Sequence, residues 1–389
     1  MDSVRIGIVG VGGMGSNHAG YLYNGQVNGA ELTAVADIKP SALKRIDDMT
    51  DGEVMTFDSA DEMLAADCVD AVMIATPHYD HPPIGIKAFE HDLHVLSEKP
   101  VGVYTKQARE LNEAADKSGN MFAVMFQQRT SATHQKLKDL IESGELGELK
   151  RNAWIITSWY RSQSYYNSGG WRATWAGEGG GVLLNQCPHN LDLWQWFCGV
   201  PTRVRAFCNF GRYHDIEVED DVTAYVEYED GSTGMFVTST GEAPGTNMFE
   251  IAGDNGRLVM EGGNLTFYRN RTPEREFNRE YTGGFGSPEN WRCDIPAGGG
   301  GGGHAEVTQR WVNAILQDDP DQMVADGREG IKGLEISNAM LMSTWIDDWV
   351  ELPLDEDRYY ELLQERIETS DYEPGVEEDE ALDVEDSWH

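Results

Sequence analysis

From Val4 the chain reads VRIGIVGVGGMG, a run rich in β-branched residues that feeds directly into Gly10, Gly12 and Gly15 at G-x-G-x-x-G spacing. A strand that runs into such a turn and then into a helix opens a dinucleotide-binding βαβ unit. Each glycine has a separate task. Gly10 permits the tight turn, Gly12 lets a pyrophosphate approach the backbone, and Gly15 lets the helix lie close to the strand, with Gly13 and Met14 completing the loop. The phosphates of such a ligand rest on the helix N-terminus, where free N–H groups and the macrodipole favour negative charge. A second apolar strand, Leu32 to Ala36, ends in Asp37, placed as an acidic residue must be to reach the adenosine ribose hydroxyls. Lys39 and Arg45 follow closely enough to soften discrimination against a 2′-phosphate, so NAD is expected and NADP is the alternative.

Strands and helices then alternate at βαβ intervals, with expected strands at 54–57, 71–75, 94–97 and 121–126. Helices are expected from Pro40, over 83–91, and from Thr105 as cap to Ser118, where Gly119 stops the last one. The loop Thr76-Pro77-His78-Tyr79-Asp80-His81 falls at the carboxyl edge of this parallel sheet, where such sheets bind ligands. Its two histidines lack a convincing third ligand, so a cofactor-lining loop is expected and a metal site is not. Glu98-Lys99-Pro100 follows the next strand at the same edge. By position alone Lys99 is equally a surface charge or a site residue.

Beyond residue 126 the pattern changes. A linking helix over 134–143 precedes longer alternating segments at 149–158, 203–210, 222–228, 233–238 and 247–251, which read as an antiparallel sheet. Between the first two lies an aromatic and glycine-rich stretch with Tyr160, Trp171, Arg172, Gly179-Gly180-Gly181, Asn185, His189 and Asp192. Its tryptophans read as core packing, whereas His189 beside a glycine turn is not explained by packing. Gly298 to Gly303 read as a flexible linker, with a mobile loop over a site as the alternative. Helices are expected at 305–316, 326–350 and 359–369. The division is therefore a nucleotide-binding domain over 1–126, a second α/β domain over 127–370, and an acidic tail over 371–389 that is expected to be disordered.

Composition sets the outer bounds. In 389 residues, 67 Asp and Glu oppose 30 Lys and Arg, a net charge of −37 that repels nucleic acid and anionic membranes alike. The excess is spread along the chain and Lys is scarce, which fits adaptation to molar salt, where repulsion is screened. Five cysteines without C-x-x-C spacing indicate neither a disulfide framework nor a zinc site. With no signal-like opening and no stretch near the about 18 to 20 apolar residues of a membrane span, a cytoplasmic protein is expected.

Taken together, the Gly10 to Gly15 loop, Ala75-Thr76-Pro77 with His81, Glu98-Lys99-Pro100, the segment GGGVLLNQCPHNLDL from Gly179 to Leu193, and the closing LEISNAM, VELPLD and YYELL patterns resemble the Gfo/Idh/MocA oxidoreductases. That group includes glucose–fructose oxidoreductase and inositol dehydrogenases. The resemblance implies a Rossmann domain followed by an α/β domain with a large open, mostly antiparallel sheet that carries substrate and subunit contacts, in a homodimer or homotetramer. It implies hydride transfer between a nicotinamide and a carbon of a sugar, sugar derivative or cyclitol, with Lys99 catalytic, His189 as acid/base and the Lys99–Pro100 bond cis. Asn185 stands where the family most often has Asp. It can hydrogen-bond a substrate hydroxyl or the imidazole, but it cannot balance an imidazolium charge. Tyr160, Trp171 and Arg172 are expected to line a sugar pocket. Two other functions fit the same motifs: an NAD-dependent glycosidase without net redox change, and a sugar-sensing regulator that binds NAD without turnover.

Overall fold

The computed structural model describes residues 3–373. Its first sheet grows from the β-branched and apolar runs: β1 (Val4–Val9), β2 (Ala30–Ala36), β3 (Met55–Phe57), β4 (Ala71–Ile74), β5 (His94–Ser97) and β6 (Phe122–Val124). All pairings are parallel, in the order β3-β2-β1-β4-β5-β6. The helices α1 (Gly13–Tyr23), α2 (Pro40–Met49), α3 (Ala60–Leu64), α4 (His81–Glu90) and α5 (Thr105–Ser118) connect them. Because β1 pairs with both β2 and β4, the strand order reverses beside it. A crevice opens there at the carboxyl ends. The end of α5 follows the sequence, since Gly119 adopts the left-handed conformation at φ 73° and its N–H caps Ala115 O. Its start differs: Tyr104 is the capping position, and Thr105 is the buried first helical residue, its N–H donating to Asn338 Oδ1 at 3.1 Å.

The second domain begins with α6 (Ala132–Glu142), β7 (Leu149–Ile156), α7 (Gln163–Asn167) and α8 (Pro188–Cys198). There follow β8 (Arg203–Phe210), β9 (Glu219–Glu227), β10 (Thr233–Ser239), β11 (Asn247–Gly253), β12 (Gly256–Glu261), β13 (Asn264–Asn270), α9 (Glu274–Glu280) and β14 (Asn290–Ile295). The described chain closes with α10 (Gly303–Gln317), α11 (Gly330–Ile346), β15 (Val350–Glu351) and α12 (Glu356–Thr369). Nine strands form one sheet in the order β14-β13-β12-β11-β7-β10-β9-β8-β15. The five expected strands are its centre. One of their pairings, β10 with β7, is parallel where the sequence reading expects antiparallel, because the crossover between them passes over α8 and the β8–β9 hairpin. Strands β12 to β15 are additions to that reading.

One face of this sheet is covered by α8 and α11. Trp194 on α8 stacks on Phe236 at 5.2 Å, and Trp154 stacks on Phe249 at 4.6 Å between ring centroids. Of the tryptophans expected to be core, Trp175 and Trp194 are buried, whereas Trp171 lines the cleft. The helix expected over 326–350 is shorter: it begins at Gly330 after a single tight turn, and Asp347 ends it at φ 53°, freeing Val350 to pair with Val204. The six glycines run against the start of α6, where Gly300 O accepts from Ala132 N at 3.3 Å, and then enter α10. The tail expectation falls, from residue 374 on, outside the described residues, while Tyr372 OH donates to Asp215 O at 2.8 Å.

The division near residue 126 separates the two sheets, yet one helix crosses back. Val307, Trp311 and Val312 of α10 are fully buried in the core formed by Val4, Ile6 and Ile8 of β1 with Leu22 of α1. The first domain's core is completed by a segment about 180 residues downstream of its last strand, on the order of half the chain.

Candidate active site

A cleft of about 700 Å³ runs along the carboxyl edge of the parallel sheet and ends against the second domain. At its first end the glycine turn is built as the sequence requires. Gly10 sits at φ 85°, and a Cβ there would lie 2.8 Å from Ala75 O. A Cβ on Gly15 would lie 1.8 Å from Gly10 O, so any side chain would push α1 off the turn. A Cβ on Gly12 would meet nothing within 4 Å, so the space beside its backbone is open to a ligand. Asp37 accepts from Val11 N and from Lys39 N, both at 2.8 Å, which fixes its carboxylate at the mouth of the turn. Arg45 donates to Val11 O at 3.0 Å. Thr76 lines the same cleft, and its Oγ1 is a buried polar atom with no hydrogen-bond partner among the described residues. An open glycine cradle on a helix N-terminus, a fixed acidic residue and an orphaned hydroxyl together fit a dinucleotide.

These glycines have separable effects. Gly12→Ala should leave thermal stability almost unchanged, because its methyl group meets no protein atom, while weakening NAD binding about tenfold or more in a fluorescence titration. Gly15→Ala should instead lower the melting temperature sharply. Equal loss of stability in both variants would contradict this assignment.

The loop after β4 braces the cleft floor. His81 places Nδ1 2.7 Å from Pro100 O and Nε2 2.7 Å from Thr76 O, so its ring ties the Thr76 and Lys99 loops together. His78 donates from Nδ1 to Glu178 O at 3.2 Å and meets the Trp171 ring edge-on at 5.4 Å. Both rings are buried, and burial pulls both below the ordinary imidazole pKa. Both line the cleft, with both His81 nitrogens and His78 Nδ1 turned to backbone carbonyls. Pro77 lines it beside them.

At the far end stands Lys99, joined to Pro100 by a cis bond. Its Nζ donates to Asn185 O at 2.9 Å. Burial lowers its pKa, and Glu98 opposes that shift. Glu98 is itself buried, accepting from His18 Nε2 at 2.8 Å and from Lys99 N at 3.1 Å. Those contacts with His18, outweighing burial, hold its carboxylate at about 2. Tyr21 extends the chain of hydrogen bonds from His18 to Thr308 on α10. Trp171, Arg172 and Asn185 complete the wall, the Arg172 guanidinium lying 4.5 Å from the Trp171 and Tyr165 ring centroids.

Other expected residues fall elsewhere. Tyr160 is half exposed and is not among the cleft-lining residues. His189, near the start of α8, lies behind the cleft wall and is 2% exposed. Its Nε2 is 3.2 Å from the Gln127 amide, its ring meets Phe126, and Nδ1 has no hydrogen-bond partner among the described residues. Burial, then the Lys99 charge, pulls its pKa well down, which leaves the imidazole neutral at physiological pH. No hydrogen bond joins Asn185 to His189. The Asn185 amide donates instead to Glu178 Oε1, which corrects the expectation that it could hold the imidazole. Asp192 does not face the cleft at all: it pairs with Arg129. Sequence reading missed Glu178 and Gln127, because neither residue type stands out beside a glycine run or after an apolar strand.

The comparisons with known proteins agree with this geometry. Residues 4–126 match the model described as an oxidoreductase family with an NAD-binding Rossmann fold, and residues 134–259 match the GFO/IDH/MocA C-terminal domain. An inositol 2-dehydrogenase from Corynebacterium glutamicum is 35% identical over 51% of this chain, and the chain spans about half of that relative, 55% of its length. One from Pseudarthrobacter chlorophenolicus is 33% identical over 68% of this chain and 80% of its own. Among solved structures, the WlbA dehydrogenase from Chromobacterium violaceum, in complex with NADH and UDP-GlcNAcA, is 30% identical with a TM-score of 0.78, covering 91% of this chain and 97% of that one. With both halves matched and the glycine cradle facing Lys99 across one cleft, the chain belongs to the Gfo/Idh/MocA family of oxidoreductases, with an NAD-binding Rossmann domain.

Proposed function

We propose that the protein is an NAD-dependent dehydrogenase that oxidises or reduces a secondary alcohol carbon of a sugar, sugar derivative or cyclitol. One observation carries this reading: Lys99 Nζ, held against Asn185 O, ends the same cleft that the Gly10 to Gly15 turn begins. Gly12, Gly13, Met14, Asp37, Thr76, Pro77 and the Glu98-Lys99 backbone would hold the dinucleotide, whose nicotinamide supplies the hydride acceptor or donor. Lys99 then steadies the oxygen from which a proton leaves, a positive group aimed at developing negative charge in a site screened from water. His189, neutral behind the cleft wall, is the base that would take up that proton once its ring reaches the cleft. Trp171 and Arg172 offer a ring face and a charged donor to a hydroxyl-rich ligand. The relatives' names, inositol 2-dehydrogenase and a WlbA dehydrogenase with bound UDP-GlcNAcA, support the same substrate class.

A panel of cyclitols, sugars and nucleotide-linked sugars should be tested with NAD and NADP in high salt, reading NADH or NADPH formation. Turnover with at least one is expected, faster with NAD because Asp37 repels a 2′-phosphate. Binding without turnover across the panel would instead favour the sensor, and glycosidic cleavage without net NADH would favour the glycosidase.

We also infer a homodimer or homotetramer. On the sheet face away from α8 and α11, Phe207, Thr223, Val237, Ile155 and Met248 stand in register across five strands, and Phe207 is 56% exposed. Together with exposed Tyr225 and Met235 they form an apolar stripe that a second copy would cover. Light scattering in molar KCl should give at least a dimer, and a strict monomer would remove the inference. The charge of −37 supports adaptation to molar salt. The melting temperature should rise steeply between dilute buffer and molar KCl as repulsion is screened, and an unchanged midpoint would exclude that adaptation.

A further inference from the structure

Glu178 is 1% exposed, immediately before the three glycines that lead to Asn185. Its two carboxylate oxygens have separate duties. Oε2 accepts from Ala173 N at 2.7 Å, and Ala173 is held at φ 64°, a left-handed conformation that alanine rarely adopts. Oε1 accepts from the Asn185 side-chain amide. The loop so clamped carries Trp171 and Arg172, both in the cleft wall. Burial raises the Glu178 pKa, while Arg172, the hydrogen bonds from Asn185 and Ala173, and Lys99 oppose that shift; the buried Glu219 carboxylate also faces it, and the His78 ring donates to its backbone carbonyl.

With Oε2 taken by the Ala173 N–H and Oε1 accepting from the Asn185 NH₂, the Asn185 carbonyl oxygen faces the other way. No hydrogen bond from the described residues engages that Oδ1, and Asn185 lines the cleft beside Lys99. We propose that Glu178 is a positioning residue that fixes the polarity of Asn185, so that the substrate meets there a neutral hydrogen-bond acceptor and must itself present a hydroxyl donor. Asn185 is then the specificity-determining contact, and Glu178 acts through it. The substrate part of this inference rests on the dehydrogenase reading; the amide pairing does not.

The test is a cycle of Glu178→Gln, Asn185→Asp and the double variant. In Glu178→Gln the single amide oxygen stays on the buried Ala173 N–H, so the new NH₂ turns toward residue 185 and Asn185 must flip, offering a donor to the cleft. With a substrate found in the panel above, kcat/KM should fall about tenfold or more, chiefly through KM, with NADH affinity unchanged. Asn185→Asp sets two carboxylates face to face, so both the melting temperature and kcat/KM should drop. The double variant reverses the pair, a donor at 178 and an acceptor at 185, and should recover the melting temperature and bring kcat/KM to within about threefold of wild type. Glu178→Gln at wild-type KM, or a double variant no more stable than Asn185→Asp, would overturn the proposal. Should no substrate be turned over, the dehydrogenase reading fails, and the melting-temperature cycle still decides the pairing of 178 with 185.

Discussion

Lys99→Ala is expected to lower kcat by about 10²-fold or more while leaving NAD affinity within a few-fold of wild type. The size follows from position. Nζ donates to Asn185 O in the cleft wall, and Lys99 is half-buried, so its charge acts through little water. The same variant has a second readout. Lys99 is one of the charges that depress the His189 pKa, so its removal should raise that pKa. A base that works only when neutral then loses activity at higher pH, and the acid limb of the residual pH–rate profile should move upward. His189→Ala should lower kcat to a similar extent and abolish that limb. Near-wild-type turnover in either variant would exclude its residue from the chemistry, and an unmoved limb in Lys99→Ala would show that the two groups act apart.

Arg129→Ala should destabilise the fold by about 3–5 kcal/mol in chemical denaturation, the cost of stranding a buried charge. Arg129 follows β6 and is 4% exposed. Its Nε and Nη2 donate to the two oxygens of Asp192 on α8 at 2.8 and 2.6 Å, and Nη1 donates to Glu329, just before α11, at 2.6 Å. Asp192 is 1% exposed, and without the guanidinium it keeps Gln195 as its side-chain donor. Asp192→Ala should cost less, because Arg129 retains Glu329. A loss under about 1 kcal/mol for Arg129→Ala would mean that water reaches the pair. The triad joins the first sheet to the two helices under the second, within three residues of His189, so kcat should fall with stability.

How far the residues foretell the structure differs from element to element. The parallel strands are legible because each is a short apolar run ending in a glycine or polar loop, and β5 begins and ends where the sequence places it. The β12–β13 hairpin carried a readable signal: Gly262 and Gly263, both at positive φ, sit between two alternating runs as a two-residue turn demands. By contrast β14 is an edge strand with Asn, Trp, Arg and Asp outward, and its pattern gives no buried face to detect. In the site, Lys99 and the glycine turn are marked by motif, whereas Glu178 matters only because Ala173 and Asn185 converge on it through tertiary packing. The partner of Asp192 is hidden in the same way, since Arg129 lies 63 residues away in sequence.

The return of α10 to the first domain bears on how the chain acquires its shape during synthesis. Until residue 317 has left the ribosome, Ile6, Ile8 and Leu22 lack the side chains of Val307, Trp311 and Val312 that cover them. An N-terminal half with one apolar side bare is an aggregation-prone intermediate, so its final cohesion must come late, after the second sheet is already made. A chain stalled or cut before α10 should therefore resist neither protease nor self-association, even though every residue of the glycine turn is present.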